Sequence, residues 1–151
     1  MKAIGIKMVD LQPMCAAEAK DKGYKINDAL DGDAGYEVTY PDGYKSWCPK
    51  DVADKAYFKL NENNDGTKIL EQDVYNFIDC IEGDKISTKT SLIHATTITG
   101  FEYVETSSCV DEKNFNYALG YQYAKEKVIS KVWDALGFVL QWAKNGIIDK
   151  E

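Results

Sequence analysis

The feature that most restricts the fold is the run from Thr88 to Asn145. Residues 88–98 and 101–107 are rich in threonine, β-branched and aromatic side chains, the composition of half-buried strands. Thr99-Gly100 interrupts them where a tight turn would, so the two runs read as a β-hairpin. Asp111 follows at a position suited to a helix N-cap. Behind it, Phe115, Ala118, Leu119, Ile129, Val132, Trp133, Leu136, Val139, Leu140 and Ala143 share one broad face when the chain turns about 100° per residue. Asn145-Gly146 closes that helix. A hairpin feeding one long amphipathic helix is an α+β arrangement.

Two departures from the helical stripe carry information. Gln122 and Lys125 interrupt it in the middle, and Ala135, Phe138 and Trp142 add apolar surface on the other side. A helix apolar on two sides is covered twice, which predicts a homo-oligomer formed through the C-terminal helix.

Upstream, residues 69–81 read as a helix with a stripe of Leu70, Val74, Phe77, Ile78 and Ile81, ended by Glu82-Gly83-Asp84. Residues 61–68, with three Asn, an Asp and a Gly, read as a linker. The N-terminal part is β-rich. Ile4, Ile6 and Met8 alternate over residues 2–9 as in a strand, and a short helical run from Ala16 closes at Gly23. An Asp/Gly-rich loop spans 27–35; it lacks the spacing and final Glu of a calcium loop. Tyr36, Val38 and Tyr40 alternate, Pro41-Asp42-Gly43 turns the chain, and Tyr44 to Trp47 return as a second hairpin. Pro49 suits the first helical position of a short helix over Lys50–Tyr57, which packs Val52, Ala53, Ala56 and Tyr57. The predicted organisation is therefore a β-rich module over 1–60, a linker over 61–68, and a helix–hairpin–long-helix module over 69–151.

Charge narrows the ligand classes. The net charge is −7, and all 18 basic residues are lysine. Bidentate guanidinium clamps on phosphate or guanine are absent, and duplex DNA, whose backbone demands neutralising cations, is not an expected partner. No apolar run reaches the ~18 residues that span a bilayer, and the N-terminus lacks a signal-peptide core, so a membrane is not expected and the cytoplasm is. The four cysteines are about thirty residues apart without a C-x-x-C, and His94 is the one histidine. That pattern predicts reduced thiols and no metal centre.

Catalytic patterns are missing: no phosphate loop, nucleophile elbow or zinc-helix motif occurs. Cys109, beside an Asp-led helix start, would serve as a nucleophile only with His94 in reach; the plainer readings are a small core thiol and a hydrogen-bonded structural imidazole. No catalytic residue, cofactor or metal is assigned. Binding finds more support. Ser107, Ser108 and the amides of Lys113 and Asn114 stand where a strand end meets a helix start, a place that takes phosphate without arginine; ordinary capping is the alternative. Tyr44 and Trp47 offer rings for a purine or for packing across the hairpin. Ser46 lies between them, and Lys50 at the next helix start could neutralise a phosphate or stand solvated.

Gly100-Phe101, Ser107-Ser108-Cys109-Val110-Asp111, Asn114-Phe115, Gly120, Trp133 and Gly137-Phe138-Val139-Leu140 together resemble the core motif of the phage gp-forty-nine-like family of small tailed-phage proteins, over residues 70–143. Tyr40-Pro41-Asp42-Gly43-Tyr44 with Ser46-Trp47-Cys48-Pro49-Lys50 resembles a segment that accompanies it, with Cys48 where that pattern has serine. The resemblance implies a phage or prophage origin and a small accessory protein, not a virion component. For such an acidic, oligomeric, non-catalytic protein it implies counter-defence in the host cytoplasm. The expected action is sequestration of a nucleotide-derived immune signal, of the cyclic ADP-ribose or cyclic oligonucleotide type. Direct inhibition of a host or defence protein through the Phe138/Trp142 face is the alternative, and a signal-degrading enzyme the third.

Overall fold

The computed structural model describes residues 1–148. Its fold is α+β: two separate three-stranded antiparallel sheets and four helices, one of them long. The described residues divide into two compact units, Met1–Lys59 with residues 140–148, and Leu60–Val139.

In the first unit β1 (Asp10–Cys15), β2 (Ala34–Thr39) and β3 (Lys45–Pro49) form a sheet in that order. The β2–β3 turn forms as its residues dictate: Tyr40 N–H donates to Tyr44 O, Gly43 N–H donates to Tyr40 O, and Gly43 takes φ +84°. The expected strand over residues 2–9 is corrected. Regular structure starts at Asp10, because Asp10 pairs with Thr39 and β2 then enters its turn. Among the described residues nothing pairs in a ladder with those before Asp10, and Ile4 is exposed. One sheet face packs Met14 and Trp47 on Ala16 and Ala19 of helix α1 (Ala16–Asp21), with Tyr24, Ile26 and Ala29 around them. The Trp47 indole lies over Gly35, where a Cβ would stand 2.5 Å from the ring and from Cys48 O. Helix α2 (Lys50–Ala56) packs beside β2 and β3 through the fully buried Ala53. Pro49 is its N-cap, one residue earlier than its composition predicts.

The second unit begins with the Asn-rich loop over 61–68, which is held by one carboxylate. Asp73, fully buried, accepts from Asn61 N–H at 2.5 Å, Asn64 Nδ2 at 2.6 Å and Leu70 N–H at 2.8 Å. The last of these caps helix α3 (Glu71–Phe77). The helix expected over 69–81 ends at Phe77. Ile78 is extended (φ −90°, ψ 120°) and opens β4 (Ile78–Lys85), with a register shift between Ile78 and Cys80. β-branched Ile78 and Ile81 satisfy a strand as well as a helical stripe, and the sheet partner decides. The expected hairpin, β5 (Thr90–Thr97) and β6 (Glu102–Ser108), thus gains a third strand, in the order β4-β5-β6.

Along β5, Ser91, Ile93, Ala95 and Thr97 are buried while the alternate residues are half-buried, so one sheet face is covered. Helix α4 (Tyr117–Asn145) covers it. Tyr117 and Tyr121 lie on Gly83, Gly120 abuts Ser91, and Lys127 and Lys131 reach Thr106 O and Glu105. The buried stripe of α4 is Ala124, Val128, Val132 and Leu136 at strict four-residue spacing. Leu119 and Val139, expected on that face, are exposed. The N-cap is corrected as well. Asp111 caps a three-residue 3₁₀ turn, Glu112–Asn114; Phe115 is extended, and Asn116 Oδ1 accepts from Leu119 N–H at the start of α4. At the other end, Gly146 N–H donates to Trp142 O with φ +65°.

Candidate functional site

The sequence-selected residues fall into two sets, one in each unit. In the first unit, Trp47 and Lys50 meet on an open cleft of about 650 Å³. Ile26, Ala29, Ala34 and Pro49 give it apolar walls, while Asn27, Asp28, Asp33, Asp51 and Asp54 bring polar groups. β3 places Trp47 and Pro49, and α2 follows at once with Lys50, Asp51 and Asp54 on its first turns. Trp47 is largely core: it is 7% exposed and its indole N–H donates to Met14 O at 2.9 Å. It therefore presents a ring edge, not a free face.

The Lys50 ammonium is paired with Asp54, which also receives Lys59; those hydrogen bonds raise both lysines and hold the Asp54 carboxyl below its usual range. Asp33 Oδ2 accepts from Leu30 N–H at 2.8 Å. The cleft is acidic, with four carboxylates against one ammonium. Such a lining suits hydroxyl and amino donors, as when a carboxylate takes a ribose hydroxyl, and resists a phosphate placed deep inside.

Tyr44 and Ser46 are not on this cleft. Tyr44 is 65% exposed and its ring lies 5.7 Å from that of Tyr40. Ser46 precedes Trp47 in an extended strand, so their side chains take opposite sheet faces. Cys48, on the Ser46 side, has its thiol pushed up by burial and then by Asp51, which keeps it in the unreactive form.

In the second unit, Ser107 and Ser108 likewise take opposite faces. Ser107 pairs with the buried Ser91, whereas Ser108 Oγ lies 2.8 Å from Thr90 Oγ1. Lys113 N–H donates to Asp111 Oδ1 and Asn114 N–H to Asp111 O, both at 2.9 Å. The two amides assigned to a phosphate are thus occupied by Asp111, and the helix start they were to form is a single 3₁₀ turn.

A Cys–His pair is excluded by register. His94 pairs with Val104 and Cys109 N–H donates to Lys89 O, five strand positions away, or about 16 Å at the rise of a strand. His94 Nε2 faces Glu102 Oε1 at 3.5 Å, and Cys109 Sγ lies 3.1 Å from Asp111 O. All four cysteines are free. Among the described residues no three His, Cys, Asp or Glu side chains gather as a metal site, and no helix is long and apolar enough to cross a membrane.

The cleft missed by sequence reading is built from residues 26–34 and α2. Its signal was the density of Asp between Asn27 and Asp54, which reads as an ordinary polar loop until β2 brings it beside Trp47.

Residues 50–143, more than half of the chain, match the model of the phage protein (N4 Gp49/phage Sf6 gene 66) family. The chain belongs to that family. The family region opens at Lys50, the first residue of α2, and closes at Ala143 in the last turn of α4. It therefore includes α2, which the motif over 70–143 did not reach. Neither the curated proteins nor the solved structures gave a match.

Proposed function

We propose that this phage-family protein acts in the host cytoplasm as a counter-defence protein, capturing a nucleotide-derived immune signal without transforming it. The observation that carries the reading is the meeting of Trp47 and Lys50 on one cleft of about 650 Å³, a volume within the ordinary range for small-molecule sites. The acidic lining favours one orientation of the ligand. Asp28, Asp33 and Asp51 accept from ribose hydroxyls and base amino groups, the Trp47 edge and Ile26 give apolar contact, and phosphates lie outward at Lys50. Cyclic ADP-ribose isomers and cyclic oligonucleotides both present ribose and base in this way.

Calorimetric titration with these compounds tests the proposal. Binding weakened at least tenfold in Asp51→Ala and Lys50→Ala, with intact ligand recovered after denaturation, supports it. Turnover of the ligand, or equal affinity in both variants, overturns it.

A second reading, direct inhibition of a host or defence protein, is favoured by exposed large apolar side chains such as Phe138, 66% exposed on α4. It predicts no response to nucleotides and loss of inhibition when Phe138 is made polar.

A further inference from the structure

The two edges of the second sheet are unlike. β4 carries a register shift at Ile78/Cys80 and the acids Asp79, Glu82 and Asp84, devices that blunt an edge against pairing. β6 has no proline and no bulge over seven residues. Thr97 N–H donates to Phe101 O and Cys109 N–H to Lys89 O. In an antiparallel ladder this alternation turns the amides and carbonyls of Tyr103, Glu105 and Ser107 toward β5, and those of Glu102, Val104, Thr106 and Ser108 outward. The outward residues are exposed. Among the described residues, that edge meets the Lys127 ammonium, which donates to Thr106 O at 2.7 Å, a contact that itself marks the carbonyl as outward.

We propose that β6 pairs antiparallel with β6 of a second copy, about a two-fold axis at Glu105, to make one continuous six-stranded sheet. The occupant is argued from self-complementarity. In that register Val104 opposes Thr106, Glu102 opposes Ser108, and Tyr103 opposes Ser107, each without like charges. Glu105 alone meets itself, and Lys131 is already paired with it in every copy. At β4 the register shift between Ile78 and Cys80 already breaks the ladder that such an operation would need. The interface is isologous, as a two-fold dimer requires. It is separate from the C-terminal-helix contact expected from sequence and does not depend on the cleft. Each chain carries −7, so added salt tightens the dimer.

Sedimentation velocity on the full chain, with Val104→Pro and Val104→Thr, provides the test. Proline removes the outward Val104 amide while sparing the bonds to β5, which is where a strand tolerates it. Pairing through β6 gives a concentration-dependent doubling of mass in the wild type and in Val104→Thr, and a monomer in Val104→Pro. Wild-type monomer throughout the micromolar range overturns it, as does a dimer that persists in Val104→Pro. Hydrogen exchange on the wild type decides the matter should the proline variant not fold. The Val104 and Thr106 amides then slow as protein concentration rises while the Gly83 amide on the β4 edge does not; concentration-independent exchange at Val104 and Thr106 contradicts the pairing.

Discussion

The Tyr24 hydroxyl donates a 2.7 Å hydrogen bond to Glu37 Oε2, at a position in mid-sheet where a carboxylate is otherwise costly to bury. Lys22 shares the same oxygen at 3.1 Å and Lys45 takes Oε1 at 3.0 Å. Hydrogen bonds from Tyr24, Lys45 and Lys22 hold the Glu37 carboxyl down at about 2.

A depressed folded-state value sets the sign of the pH response. The unfolded carboxyl titrates near 4.5, so the stabilisation is complete above that pH and is lost as pH falls toward about 2. Urea unfolding midpoints across this window should decline steeply in the wild type. In Glu37→Gln the decline should be shallower and the neutral-pH midpoint lower. Parallel curves would show that Glu37 does not report this network.

Ser91 presents the opposite situation. Its hydroxyl is fully buried, finds no hydrogen-bond partner among the described residues, and lies 2.5 Å from where a Cβ on Gly120 would stand. Removing an unsatisfied hydroxyl is neutral to favourable, so Ser91→Ala should leave stability unchanged or raise it by about 1 kcal/mol. Gly120→Ala should cost about 1–3 kcal/mol through overpacking. Thermal unfolding of the two variants checks both signs.

Asp73 binds the Asn-rich loop to α3 through Asn61 N–H, Asn64 Nδ2 and Leu70 N–H. Asp73→Ala leaves these donors without their charged acceptor, a loss of about 3 kcal/mol. Proteolysis should then cut within residues 61–68 before any other segment. Unchanged stability and cutting elsewhere would refute the role assigned to this carboxylate.

The architecture was legible where local chemistry and tertiary pairing agree. Pro41-Asp42-Gly43 turns as read, β5 and β6 lie within two residues of their expected bounds, and α4 ends at Asn145-Gly146. It was not legible where one pattern fits two periods. Phe77, Ile78 and Ile81 continue a helical stripe, yet the ladder from Ile78↔Thr97 makes the second half a strand. Residues 2–9 alternate like a strand, but β2 ends before it could pair with them. Asp111 has the chemistry of a long-helix cap and performs it for a 3₁₀ turn, while Asn116 caps α4. Trp47 and Lys50, chosen from sequence, both line the cleft, because they stand three residues apart on a strand-to-helix junction. The acids opposite them were not chosen, because Asp28 and Asp33 join the cleft through the path of a loop that carries no periodic signal.

Capture of a nucleotide-derived signal at the Trp47–Lys50 cleft is checked by thermal unfolding of the whole chain against cyclic ADP-ribose isomers, ADP-ribose conjugates and cyclic di- and trinucleotides. A ligand held at about 100 times its Kd adds about 2.7 kcal/mol, a rise of several degrees for a chain of this length. Capture at this cleft predicts one selective shift of that size, lost in Asp51→Ala. A panel that leaves Tm unmoved contradicts it.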